Sequence, residues 1–288
     1  MTVESKLPRT LSIKFWRNSV ISANVLQMSV GPVKTITSME LCYPRFIHAE
    51  LMTHRVFSRN ASSSRAVPID RMIRDIQENP AMPNSWMQNK PGMQGGDVLG
   101  AREISEAKDA WIKACNDAVK HARVLKDLGC HKQIVNRILE PFAHIKVIVT
   151  ATEWDNFFML RLSDQAEPNI RELARKMIRA MYRFEPQHVG TGGLHAPYVN
   201  VEEMLSQGVS VEDICMASAG RCARVSYLNH DGTKADVHQD ILLARRLLAD
   251  KHASVFEHQA FALSNSVATD MRSRNFYGWT QFRERVNL

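Results

Sequence analysis

Residues 33–41, VKTITSMEL, alternate, with Val33, Thr35, Thr37, Met39 and Leu41 on one face, so the segment reads as a β-strand. Tyr43-Pro44 ends it. The next residues, RFIHAELMTHR (45–55), change to helical spacing, with Ile47 and Leu51 four apart. The stretch 79–99 carries three prolines and three glycines, which predicts a long irregular loop of the kind that is often functional. A long helix is predicted over 101–128, with Gly129 at its C′ position. KVIVTA (146–151) reads as a short buried strand. The segment 168–183 reads as an amphipathic helix with Ile170, Leu173, Met177, Ile178 and Met181 on one stripe. The basic residues on its other face, Arg171, Arg175, Lys176 and Arg179, read as solvated surface. HVGTGGLHAPY (188–198) lacks the Gly-Lys-Ser/Thr ending of a phosphate loop and reads as a linker, with a junction near 188–200. Ser210 caps a helix running to about 223, with Asp213 completing a capping box. A further helix over 237–251 and a strand over QAFALSNS (259–266) complete an α+β chain without internal repeats.

Composition narrows the class. At 288 residues and 44% hydrophobic, the chain can bury a sizeable core, and 23% charged residues argue against disorder. It contains no run long enough for a membrane span, and its first residues lack the apolar region of a secretory signal, so a cytoplasmic protein is expected. Five scattered cysteines without CxxC spacing signal neither a disulfide framework nor a zinc site. A net charge of +7 points to an anionic partner such as a nucleotide or phosphate ester. Only 7% aromatics and no Lys/Arg block argue against a polynucleotide.

The densest chemistry lies in THRVFSRNASSSRAVP (53–68). Arginine forks and serine hydroxyls beside a helix terminus suit a phosphate, although serines in a polar loop more commonly cap and turn the backbone. The spacing is more telling. His54-Arg55, then Asn60, Ser63 and Arg65, resembles the signature of the flavin-dependent thymidylate synthases: Arg-His-Arg, seven residues, then Ser, with Thr53 here in place of the first Arg. WDNFFMLRLSDQAEPNI (154–170) resembles the segment in which an Asn and an Arg face flavin and pyrimidine; Asn156 and Arg161 hold those places. QIVNRILEP (133–141) resembles the helix whose Arg clamps the nucleotide phosphate, with Arg137 in that position and Pro141 four residues on. ARVSY (223–227) and HASVFEHQAF (252–261) resemble the family's N-terminal blocks, matching at His252, Ser254, Glu257 and His258, with Val255 in place of proline. Those blocks ordinarily precede the Arg-His-Arg motif. The chain therefore resembles a circularly permuted member: 1–187 the C-terminal part, 188–200 the junction, 201–288 the N-terminal part, all of 1–288 forming one catalytic domain. In NFYGWTQFRER (275–285), Gln281 and Arg283 are candidates for the Gln and Arg missing at Glu50 and Thr53; an ordinary basic amphipathic tail is the equal alternative.

The resemblance implies a flavin-dependent thymidylate synthase-like fold, a central mixed or antiparallel sheet with flanking helices. It implies transfer of a one-carbon unit from methylenetetrahydrofolate to C5 of a deoxypyrimidine monophosphate, with FAD relaying electrons from NADPH. Arg161 is the candidate for stabilising charge on the pyrimidine ring. Ser63, Ser64, Arg65, Arg137, Arg161, Gln281 and Arg283 are the nucleotide candidates. His54, Arg55, Asn60, Asn156, His252, Ser254 and Glu257 are the cofactor candidates. Family members are homotetramers with shared sites. Ala61 and Ala66 replace a Glu and a Tyr, and Glu167 and Asn169 replace a Gln and a Glu near the pyrimidine-facing Arg, which opens a change from uracil to cytosine or from methyl to hydroxymethyl transfer. A non-catalytic, basic nucleic-acid-binding protein is the distant alternative. Gly129-Cys130-His131 superficially resembles the Pro-Cys-His of classical thymidylate synthases, but reads as a helix end followed by a small buried Cys. His48 and His131 read as structural.

Overall fold

Alternating side chains in the first half of the chain build a sheet, and the computed structural model describes residues 20–225, 236–265 and 272–288. In chain order the first elements are β1 (Ser22–Val30), β2 (Thr35–Pro44), α1 (His48–Met52), β3 (Ser58–Ala61), α2 (Ile69–Glu78), α3 (Ala101–Asp127), α4 (Lys132–Val135), β4 (His144–Ala151), α5 (Asp155–Arg161) and α6 (Pro168–Arg183). Next come β5 (Gln187–His188), β6 (Leu194–His195), α7 (Val201–Ser206), α8 (Val211–Arg224), α9 (Val237–Ala249), β7 (Ala260–Ala262), β8 (Arg272–Ser273), β9 (Phe276–Tyr277), β10 (Trp279–Gln281) and α10 (Phe282–Arg285). The main sheet has the order β3-β4-β2-β1-β5. It is antiparallel except at β1–β5, hence mixed. A second sheet, β10-β7-β6, and the β8–β9 ribbon lie in the C-terminal part.

The main sheet is a middle layer. Met39, Leu41, Val147 and Val149 pack on Ile170, Leu173 and Met177 of α6, and full burial of each such side chain is worth roughly 1.5–3 kcal/mol. On the other face Ile36 meets Ala260, Phe276 and Trp279, while Ile148 meets Cys222 and Val225. A side cluster joins α2, α3 and the turn after α4 through Met72, Ile76, Val119 and Leu139. With both faces of β2 covered, its buried positions run consecutively over Ile36–Met39 and lose the alternation expected of a half-exposed strand.

Most expected elements form. The 101–127 helix ends with Gly129 at φ +80°, the left-handed geometry that glycine adopts without steric cost. Ser210 Oγ accepts from Asp213 N–H at 3.1 Å, as the capping box requires. The helix over 168–183 is as expected, except that Ile178 is exposed. Three readings need correction. Residues 45–55 form a 3-10 turn and a short helix that stops at Met52. Residues 58–61 are a strand, since their backbone groups pair with β4. The basic amphipathic tail offered as the alternative for 275–285 is instead β9, β10 and α10, with Phe276, Trp279 and Phe282 buried. Cys130 is only half-buried, while His131 caps α4 and His48 bonds the Tyr43 hydroxyl at 2.8 Å. Ser226 and Tyr227 of ARVSY, and Ser266, lie outside the described residues. No described helix is long and apolar enough to cross a membrane.

Candidate functional site

The 53–68 stretch is held at the sheet edge by β3, and alternation along that strand sends its side chains two ways. Ser58 and Asn60 reach the C-terminal part. Ser58 Oγ accepts from Gln281 Nε2 at 3.1 Å and from Asn275 Nδ2 at 3.0 Å. Asn60 Nδ2 donates to the Cys222 carbonyl at 2.7 Å, and Asn60 Oδ1 accepts from Ser254 Oγ at 3.2 Å. Arg59 turns back and donates to the Met52 and His54 carbonyls at 2.8 and 3.1 Å, closing the end of α1. Beyond β3, Ser63 caps the single 3-10 turn Ser64–Ala66. Asn136 Nδ2 clamps that turn through the Ser64 and Val67 carbonyls at 2.8 and 2.9 Å.

A groove of about 790 Å³ opens here. One wall is Asn60 and Ser62–Ser64, and the other is His252 and Ser254. Arg45, Arg71, Lys146 and Arg224 line it against the carboxylates Asp75 and Glu78, so the cavity favours an anion. Burial pushes the Cys42 thiol at its edge up, which keeps it protonated and a poor nucleophile. His144, also on the wall, is lowered to about 4 by desolvation and is neutral near pH 7. At the groove margin Val225 sits at φ +47° and ψ +44°. A left-handed β-branched residue costs about 1–2 kcal/mol, offset here by its full burial at the end of α8.

A second cluster forms where α5 meets α1. Arg161 Nε donates to His54 Nε2 at 2.9 Å, and its Nη2 donates to Thr53 Oγ1 at 3.0 Å and to the Glu50 carbonyl at 3.3 Å. A guanidinium only donates, so His54 Nε2 must be the lone-pair nitrogen and the ring is neutral with its proton on Nδ1. Desolvation, then the Arg161 charge, lower the His54 pKa in the same sense. The ring packs against Phe157 and Phe57 with centroids 4.9 and 5.8 Å away. Thr53 thus serves as a small hydroxyl that steadies Arg161 and donates to the Glu50 carbonyl at 2.7 Å.

The candidate residues fall into groups. Asn60, Ser63, Ser64, His252 and Ser254 share the groove. His54 and Arg161 share the second cluster. Gln281 is fully buried behind β3, its amide nitrogen used on Ser58, Asn275 and the Glu257 carbonyl, so it does not reach the groove. Arg283 pairs with the Glu257 carboxylate, so these two also engage each other. Arg55, Arg65 and Asn156 are exposed. Arg137 is half-exposed and donates to Glu140 at 3.1 Å. Glu167 caps α6 by accepting from the Asn169 and Ile170 N–H groups at 2.8 and 2.9 Å. Asn169 is buried and accepts from Asn84 N–H at 3.0 Å, anchoring the 79–99 segment. Sequence reading missed the groove cations Arg45, Lys146 and Arg224. Lys146, a charge opening an otherwise apolar strand, and Arg224, inside ARVSY, were the available signals.

Comparisons with known proteins bear on this arrangement. A flavin-dependent thymidylate synthase from Pyrococcus furiosus is 25% identical over 181 residues, 62% of each chain. One from Pyrococcus abyssi is 26% identical over 150 residues, 51% of this chain and 54% of the relative. The match thus spans less than two thirds of the relatives' length. Among solved structures, a UMP/dUMP methylase, PolB from Streptomyces cacaoi bound with 5-Br UMP, gives a TM-score of 0.48 at 15% identity, covering 58% of this chain and 90% of that one. The Helicobacter pylori flavin-dependent thymidylate synthase complexed with FAD and dUMP gives 0.35 at 18% identity, covering 51% and 67%. Residues 35–187, more than half of the chain and including β3, Arg137 and Arg161, match the family model described as thymidylate synthase complementing protein. The chain belongs to that family.

Proposed function

We propose that this chain is a flavin-dependent enzyme that transfers the one-carbon unit of methylenetetrahydrofolate to C5 of a deoxypyrimidine monophosphate, with dUMP to dTMP as the leading form. The observation that carries the reading is the hydrogen bond between Ser254 and Asn60, which joins two motifs 194 residues apart in the chain. Their meeting also supports a permuted order, with 188–200 joining the two parts of one catalytic domain over 1–288. Permutation of this kind is tolerated when the joined ends lie close on the surface.

The groove suits FAD. Its volume and cations fit a long ligand with a pyrophosphate, and Asn60, Ser254 and His252 offer polar groups to a flat ring system. When bound, the flavin supplies the two-electron chemistry, with NADPH as reductant. The chain's own residues bind and orient. Arg161 presents a fixed positive charge to the pyrimidine, because its partners are a neutral imidazole, a hydroxyl and a carbonyl, none of which cancels it. That charge stabilises negative charge on the carbonyl oxygen and ring nitrogen, and so favours the electron-rich form of the pyrimidine whose C5 is nucleophilic. Ser63, Arg65 and Arg137 stand at the phosphate end. Arg55, Asn156 and the strongly exposed Met159 and Tyr182 support a homotetramer in which neighbouring copies complete each site. Glu167 and Asn169 are engaged within α6 and with the 79–99 segment, which favours uracil over a retuned base pocket.

Purified protein should be yellow. Incubated with methylenetetrahydrofolate, NADPH and either dUMP or dCMP, it should give a methylated dUMP by mass. A hydroxymethyl product would redirect the reading, and a nucleotide that gains no carbon would end it. Arg161→Ala should lower turnover by about 10²–10³-fold or more while flavin content stays near wild type. An active variant would remove Arg161 from this role.

A further inference from the structure

Three groups that the proposed reading places at or beside the phosphate end converge on a single carboxylate of the chain itself. Glu140 Oε1 accepts from Ser64 Oγ at 2.5 Å and from Arg137 Nη1 at 3.1 Å, and forms an ion pair with Arg45 Nη2 at 3.1 Å. Ser64 and Arg45 line the groove, whereas Arg137 stands half-exposed one turn before Glu140. We infer that Glu140 is an internal stand-in for the ligand's phosphate, a specificity-determining residue that holds these donors together and must yield them when the phosphate arrives. The inference rests on the proposed reading of Ser63, Arg65 and Arg137 as the phosphate end of a nucleotide monophosphate site beside the groove.

The charges decide the direction. Glu140 contributes one negative charge, and its side chain keeps about a fifth of its exposure, so each of its ion pairs is partly screened. A phosphate monoester carries about −1.5 to −2 charges near pH 7 and three acceptor oxygens, and therefore outcompetes a carboxylate for two guanidinium groups. Arg137 can swing outward at little cost, because its own side chain is 55% exposed. The carboxylate thus lowers affinity for every phosphate-bearing ligand and leaves affinity for an uncharged nucleoside unchanged.

Glu140→Gln tests this, since it keeps the shape and removes the charge. By equilibrium titration of the purified tetramer or monomer, the variant should bind dUMP about tenfold more tightly than wild type, with deoxyuridine affinity unchanged. Inorganic phosphate should likewise raise the variant's melting temperature more than the wild type's. Equal or weaker phosphate and dUMP binding by the variant would overturn the inference and make Glu140 a fixed support for the arginines. If inorganic phosphate gains but dUMP binds neither protein, the role of Glu140 stands and the nucleotide reading fails. Should the variant not fold, the wild-type structure in inorganic phosphate decides: the Glu140 side chain should have left Arg45 and Arg137, and its retention there would refute the inference.

Discussion

The two faces of the main sheet are closed by different physics. Toward α6 the contacts are hydrocarbon, with Met39, Leu41, Val147 and Val149 against Leu173 and Met177. Toward the C-terminal part a polar chain crosses between the layers. Ser29 Oγ bonds His195 Nδ1 at 2.9 Å, and His195 Nε2 bonds Ser38 Oγ at 2.9 Å. Ser38 Oγ bonds Thr150 Oγ1 at 2.5 Å, which bonds His258 Nδ1 at 2.8 Å. All five residues are fully buried. An apolar face tolerates sliding and repacking, because burial is proportional to area and has no direction. A buried hydrogen-bonded chain tolerates neither, since each displaced member leaves an unpaired group. The groove lies on the second side, where β3, α8 and the His252–Glu257 turn must keep register for Asn60 to meet Ser254.

The largest test of this contrast lies in the C-terminal layer. Asp240 is fully buried and accepts from Arg221 Nε at 2.8 Å and also from Arg224. Asp240→Ala removes the carboxylate beside Arg221, which is only 5% exposed and also donates to the Tyr198 carbonyl at 2.7 Å, and should cost about 3–5 kcal/mol in urea unfolding. A cost below about 1 kcal/mol would show that the remaining partners of Arg221 suffice to hold its charge. On the apolar side, Leu173→Ala should cost about 2–5 kcal/mol through lost burial and a cavity, yet leave turnover per folded molecule near wild type. A collapse in turnover would mean that the two faces are coupled more tightly than the packing indicates.

Smaller effects probe the polar seam directly. Thr150→Val conserves volume but leaves Ser38 and His258 without a shared hydroxyl, and should cost about 1–3 kcal/mol. A neutral outcome would remove the seam as a source of register. Acid should act on the same seam. Desolvation lowers both His195 and His258 to about 3, from an ordinary value near 6.5. Both remain neutral when folded, while the unfolded chain takes up protons below about 6.5. Their contribution is therefore full above that pH and falls as pH drops toward 3, by up to about 1.4 kcal/mol per pH unit for each histidine. Unfolding free energies measured from pH 6.5 to 5, above most of the carboxylate range, should decline; a flat profile there would contradict the burial of neutral rings.

What was legible follows the range of the interaction. The helix over 168–183 could be read from its period, and Gly129 and Ser210 marked helix ends, because those signals are local. β3 could not. Its four residues, SRNA, have neither strand composition nor alternation of apolar side chains, and only pairing with β4 makes them a strand. The motif residues show the same division. Their spacing matched the family, yet Gln281, read as a ligand contact, is a buried support, and Glu167, read as a base selector, caps a helix. Residue types, helical periods and motif spacing belong to the sequence alone, as each depends on neighbours along the chain. Only the tertiary structure decided that Arg45, Lys146 and Arg224, from three elements, share one cavity, that Glu140 already holds Arg45, Arg137 and Ser64, and that Arg161 leans on a neutral His54. Those facts depend on groups far apart in sequence, and packing alone sets the distances between them.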